Sequence, residues 1–232
     1  MHLDGFPIVR AAFARTVRLV TSARLRASVL RALVDSDEEL AALSEIEGAT
    51  SARLIAQERG AGNIAAGEFV HGVPHALFVN ASFAYAKPLE PNRFNGPDRG
   101  AWYAALDVRT CLDEVAFHMT EFLERSGEFR ATVDYAEMFA SLAGEYVDLR
   151  EADPASPCLS RDKAVGYPAG NALADAVRAR GLNGIIYPSV RHQGGTCIVA
   201  LWPHAVQSVA QGGLYRLTWE GSAVPRVETL AD

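Results

Sequence analysis

Two short apolar runs constrain this fold most: Gly184 to Val190 and Thr196 to Trp202, separated by the polar turn Arg191-His-Gln-Gly-Gly195. Runs of that length and content suit strands. So short a connection joins them as antiparallel neighbours, because a parallel pair needs a crossover of roughly a dozen residues. A doubly wound, purely parallel sheet is not expected. Helical patterns alternate with strand patterns elsewhere, so the expected class is α+β, one mixed α/β domain.

The other elements follow from local signals. Thr16 to Val20 reads as a strand with Arg18 in its middle, Ser36-Asp-Glu-Glu39 as a capping box opening a helix, and Thr50 to Gly60 as a second helix. Ala76 to Ala84 is predicted as a strand after Pro74, Lys87 to Gly100 as a loop, and Trp102 to Val108 as a strand. Thr110 then caps a helix whose Leu112, Val115, Ala116, Met119, Phe122 and Leu123 form one buried stripe, with Glu114, His118 and Glu121 on the other side. Tyr146 to Pro168 reads as a loop, Pro168 to Arg180 as a helix stopped by Gly181, and Leu214 to Glu220 as the last strand.

With 232 residues, 49% hydrophobic and 22% charged, and without a repeat, linker or low-complexity stretch, residues 1–232 read as a single globular domain. Cys111, Cys158 and Cys197 are far apart and form no C-x-x-C pair, so neither a disulfide framework nor a metal site is expected. No apolar run is long enough to span a membrane and no secretory pattern opens the chain, which points to the cytoplasm. A net charge of −6 weighs against nucleic acid as a direct partner. Locally, six arginines from Arg10 to Arg31 without an acid precede six acids from Asp35 to Glu47 without a base. That pattern suits a folded segment facing an anionic ligand or an acidic partner.

Gly60-Ala-Gly-Asn-Ile-Ala65 satisfies a dinucleotide-binding pattern, but it follows a predicted helix, outside any βαβ unit, and reads as a helix-end loop. P-loop, G-x-S-x-G and H-E-x-x-H motifs are absent. Glu114, placed by the predicted cap in the first turn of its helix, suits either the positive helix end or catalysis, and His118 one turn on could orient it. Ser189 could serve as a nucleophile, a ligand donor or a backbone hydrogen-bonding group. Arg191 and His192 read as surface residues unless their turn lines a cleft. In Asn92 to Tyr103, Arg93 suits a phosphate and Tyr103 offers a flat face to a planar ring.

Together these segments resemble the RES-domain family, the toxins of bacterial toxin–antitoxin pairs, named for an arginine, a glutamate and a serine. The matching text is Val17-Arg-Leu-Val20, Arg93-Phe-Asn95 with Gly100-Ala-Trp-Tyr103, Thr110-x-x-x-Glu114 with His118, and Gly184-Ile-Ile-Tyr-Pro-Ser-Val-Arg191 followed by Gly194-Gly195. It spans about residues 16–220, and Thr50-x-x-Arg53-Leu54 looks like a longer branch of the family. The resemblance implies an ADP-ribosyltransferase-like fold and consumption of NAD as a substrate, not as a cofactor. It assigns Arg18, Glu114 and Ser189 to the name-giving positions, with Arg15 and Arg24 as neighbouring choices for the arginine, and places Arg93 and Tyr103 in the same cleft.

Under that reading Glu114 stabilises the oxocarbenium-like ribose, Arg18 and Arg93 hold the pyrophosphate, Tyr103 walls the nicotinamide, and Ser189 hydrogen-bonds the nicotinamide or ribose side. The acceptor of ADP-ribose is open between water, phosphate and a target protein. A cognate antitoxin of helix-turn-helix (Xre-like) type is the expected partner. The competing reading is a catalytically silent module that binds an antitoxin or other partner through its basic and acidic blocks.

Overall fold

The computed structural model describes residues 3, 5–22, 64–84 and 91–230. In chain order the elements are β1 (Ile8–Thr21), α1 (Ala76–Ala84), β2 (Trp102–Ala105), α2 (Val108–Ser126), β3 (Arg130–Asp148), α3 (Lys163–Ala179), β4 (Gly184–Pro188), β5 (Thr196–Ala200), β6 (Val206–Glu220) and β7 (Arg226–Leu230). The sheet runs β1-β2-β5-β4-β3-β6-β7, and β1 also pairs with β3. The strands β1, β2, β5, β4 and β3 therefore close a circuit, from which β6 and β7 extend. Val17 marks the closure, pairing with Phe139 of β3 on one side and Ala105 of β2 on the other. All pairings are antiparallel except β3–β4. The class is the expected α+β.

Both faces of the sheet are covered. Ile185 and Val199 point toward α2 and α3, whose Leu112, Leu123, Leu173 and Val177 complete one core. Ile186 and Ile198 point the other way, toward Val79 and Phe83 of α1, with Trp102, Met138 and Tyr146. Double-sided burial explains why β4 and β5 are continuous apolar runs and not alternating ones.

The β4–β5 hairpin and the loop over the described residues 91–100 are as the sequence predicts, and the strand through Arg18 is present but starts eight residues earlier than predicted, at Ile8. The two helices expected over Ser36 to Glu47 and Thr50 to Gly60 lie outside the described residues, as do Arg53 and most of the Gly60 to Ala65 pattern. Ala76 to Ala84 is a helix and not a strand. Its apolar residues lie all round, which hides the helical period; Val79 and Phe83, one turn apart, are buried, and Asn80 fixes the helix by exchanging two hydrogen bonds with the Val70 backbone.

The cap of α2 is Asp107 and not Thr110: its carboxylate accepts from the Thr110 amide and hydroxyl, both at 2.8 Å. The preceding strand β2 therefore ends at Ala105. The buried stripe of α2 holds at Leu112 and Leu123, whereas Phe122 at its edge is exposed. Helix α3 begins at Lys163, so Pro168 lies inside it and Tyr167 is helical, not part of a loop. Asp162 caps its first turn and Gly166 is buried against Arg93, which anchors the helix on the N-terminal side of the exposed proline. The longest strand, β3, sits where no element was read, and it runs into the predicted loop as far as Asp148; Ala and Gly at many of its positions blunt the strand alternation. Strand β6 starts eight residues earlier than predicted, at Val206, and β7 follows it.

Candidate active site

One cleft gathers residues from most of these elements. It encloses about 220 Å³ and is lined by Arg18 of β1, Arg93, Tyr103 of β2, Glu114 and His118 of α2, Tyr167 of α3, Tyr187 of β4, Arg191 of the following turn, and Cys111 and Cys197. Four of the five residues the sequence nominated are in its wall. Ser189, the fifth, is not in the lining; it stands behind Glu114.

Glu114 lies about two turns beyond the Asp107 cap, so the positive helix end, whose field fades within the first turn, does not account for it. Its Oε1 accepts from the Ser189 hydroxyl at 2.7 Å. Ser189 Oγ in turn accepts the backbone N–H groups of Arg191 (3.2 Å) and His192 (3.0 Å). The turn is closed by Ser189 N–H on the Gly195 carbonyl (2.8 Å) and pressed against α2 at Gly195, where a Cβ would collide with the Thr110 hydroxyl.

Arg93 is nearly fully buried, 7% exposed, and its Nη1 donates to the carbonyls of Cys158 and Ser160, both at 2.8 Å. Its guanidinium lies 5.6 Å from the Tyr167 ring centroid. Two helical glycines make the seat: a Cβ at Gly166 would meet Arg93 Nη1 at 2.7 Å, and one at Gly170 would strike the Arg93 carbonyl. Asn171 adds Nδ2 donation to the carbonyls of Asn92, Arg93 and Tyr167. Tyr103 lines the cleft with its ring, while its hydroxyl ties down the loop by donating to Asn95 Oδ1 (2.9 Å) and accepting from Phe94 N–H (3.0 Å).

Arg18 packs over the Trp102 ring at 4.7 Å on the cleft wall, whereas Arg15 is exposed and stacks 3.7 Å above Phe139, and Arg24 lies outside the described residues. Of the two candidates among the described residues, Arg18 is the one that lines the cleft. Arg191 also faces the cleft, with its guanidinium 3.5 Å from the Phe117 centroid and a donor on the Arg161 carbonyl. The surface reading therefore does not apply to Arg191, whereas His192 is not in the lining.

Neither Glu114 nor Arg93 forms an ion pair among the described residues. Burial, reinforced by Cys197 and Glu114, pushes the Tyr187 phenol well above its ordinary pKa, with Arg93 opposing; burial also raises Tyr103. Both remain protonated donors. His118 is 3.8 Å from Glu121, and burial together with the Lys163 ammonium lowers its pKa, so at neutral pH it adds no cation. Tyr167, Tyr187 and Arg191 are polar lining residues to which motif reading assigned no role in the site. Tyr187 was within reach of it, on β4 two residues before Ser189; Tyr167 was lost with the misplaced start of α3.

The family model described as the RES domain matches residues 69–220, so the chain belongs to the RES-domain family. A similar solved structure is the MbcT–MbcA toxin–antitoxin complex of M. tuberculosis, 13% identical, covering 90% of this chain and 89% of that chain with a TM-score of 0.39. No curated protein sequence matches. Among the described residues no helix is long and apolar enough to cross a membrane.

Proposed function

We propose that this protein is the toxin of a bacterial toxin–antitoxin pair and that it consumes NAD by cleaving the nicotinamide–ribose bond. The observation that carries the reading is a carboxylate and a guanidinium in one cleft, Glu114 and Arg93, each oriented by neutral groups and neither in an ion pair among the described residues. NAD carries charges of both signs, a cationic nicotinamide ring and an anionic pyrophosphate. Clefts for drug-sized ligands measure about 300–1,000 Å³, so a cavity of about 220 Å³ suits the nicotinamide riboside half, with the rest of the dinucleotide toward the mouth.

In this reading Arg93 and Arg18 hold the pyrophosphate and Tyr103 walls the nicotinamide. The bond from ribose C1′ to the ring nitrogen breaks, its electron pair leaves with the ring, and nicotinamide departs neutral. The positive charge passes to the ribose, where the Glu114 carboxylate stabilises it. An acceptor then bonds to C1′ and releases its proton to solvent. Water or phosphate as acceptor makes the protein an NAD-degrading enzyme; a side chain makes it a mono-ADP-ribosyltransferase. Ser189 acts through Glu114. The cognate antitoxin is of helix-turn-helix (Xre-like) type, and the site of action is the cytoplasm.

The test is nicotinamide release from NAD by the purified protein, alone and with cell lysate, against Glu114→Ala. Release by the protein alone that falls roughly 10²–10³-fold in the variant is expected for NAD degradation. Release only with lysate directs the acceptor to a protein, and no release in either condition overturns the reading in favour of a partner-binding module.

A further inference from the structure

We infer that Asp113 and His192 form a positioning pair that holds the Ser189 hydroxyl on Glu114, an inference that rests on the proposed role of Glu114. A serine hydroxyl rotates, and it offers one donor and two acceptor sites. Both acceptor sites of Ser189 Oγ are filled by the amides of Arg191 and His192, so its proton is directed to Glu114 Oε1. The orientation of the carboxylate thus depends on the turn that presents those two amides.

That turn has its own tie to α2. His192 Nδ1 lies 2.6 Å from Asp113 Oδ2, with both side chains about one-third exposed. An ionised carboxylate only accepts, so the imidazole carries its proton on Nδ1. Arg109, one turn earlier on α2, stands 3.4 Å from the other Asp113 oxygen. A closed ring results: Glu114 to Ser189, Ser189 to the His192 amide, His192 through its side chain to Asp113, and Asp113 by the peptide bond to Glu114. Two consecutive acids of one helix hold Ser189 and His192, three residues apart. Neither Asp113 nor His192 lines the cleft; both act on the reaction through Ser189 and Glu114.

Nicotinamide release is measured for Asp113→Ala, His192→Ala, His192→Asn and Ser189→Ala, singly and with Asp113→Ala combined with Ser189→Ala. Displacement of a reacting group by an ångström costs on the order of 10²-fold, so the two alanine variants of the pair are expected to lose roughly 10–100-fold in kcat with KM within about twofold. His192→Asn, whose amide nitrogen reproduces the Nδ1 donor, restores most of the rate. In the Ser189→Ala background Asp113→Ala adds little, because the ring is already open. Unchanged kcat in the alanine variants, no rescue by Asn, or additive losses overturn the positioning role.

Amide hydrogen exchange at Arg191 and His192 is read in wild type and Asp113→Ala as a measurement independent of NAD. Faster exchange in the variant is expected, and equal rates overturn the tie whatever the substrate. Absence of nicotinamide release by the wild-type protein both with and without lysate overturns only the proposed function, leaving the exchange result to judge the pair.

Discussion

On the α2 wall of the cleft the carboxylate of Glu114 is held by a side chain, the Ser189 hydroxyl, which is itself set by a turn. On another wall the guanidinium of Arg93 is held by main chain, the carbonyls of Cys158 and Ser160, and by the missing side chains of Gly166 and Gly170. In both cases a neutral dipole orients an ion without cancelling its field. Elsewhere the fold matches charge with charge: Arg150 donates to Asp148 at 2.6 Å, Arg216 to Asp134 at 2.7 Å and Arg99 to Glu68 at 2.5 Å. Ions that form no ion pair among the described residues of a partly buried cleft are costly to the free protein, and that cost is relieved by a ligand that brings the opposite charges.

Breaking the carboxylate wall is expected to have the largest effect. Glu114→Gln keeps the shape and an acceptor for Ser189 but removes the charge, so nicotinamide release falls by roughly 10²–10³, about 2.7–4 kcal/mol in the barrier, while thermal unfolding barely moves. Breaking the other wall affects the fold as well. Arg93→Met leaves the Cys158 and Ser160 carbonyls without their donor; a loss of about 1.5–3 kcal/mol in urea unfolding is expected, with a raised KM for NAD. Gly170→Ala probes the same wall through its seat. Overpacking against the Arg93 carbonyl costs about 1–3 kcal/mol, offset by about 1 kcal/mol from alanine's helix propensity, and the net loss is read from the same unfolding curves.

The smallest effect sharpens the contrast with a matched pair. Hydrogen bonds from Arg150 hold the Asp148 carboxyl below its ordinary pKa. Because the folded value is the lower one, the stabilisation is present above the unfolded value of about 3.9 and is lost as pH falls through the folded value. Asp148→Asn is expected to flatten the acid limb of the stability curve below about pH 4 and to leave nicotinamide release unchanged. A change in release would mean that this pair, too, belongs to the cleft's electrostatics.

The legible parts of the fold were those whose burial is one-sided or whose connection is short. The α2 stripe at Leu112 and Leu123 and the β4–β5 hairpin are of that kind. Helix α1, apolar all round, imitated a strand, and β3, diluted by alanines, showed no period at all. In both, tertiary burial and not local pattern decides the conformation. The candidate site was legible as names: Arg18, Arg93, Tyr103, Glu114 and Ser189 were all nominated by motif, and four line the cleft. Their roles were less so. The nominated cap at Thr110 put Glu114 in the first turn, where a helix-end charge would have explained it, and the true cap at Asp107 removes that explanation.

The sequence by itself determined the α+β class, the hairpin that carries Ser189, the helix that carries Glu114 and membership of the RES-domain family, because each rests on short-range pattern or on motif order. Only the tertiary structure decided that Ser189 meets Glu114 across 75 residues, that Arg18 and not Arg15 enters the cleft, and that Arg93 is seated by carbonyls and glycines. Those contacts join segments remote in the chain, and no local propensity encodes a distance between them; they exist because β1, β2, β5, β4 and β3 close on one another and bring α2 and α3 to the same side of the sheet.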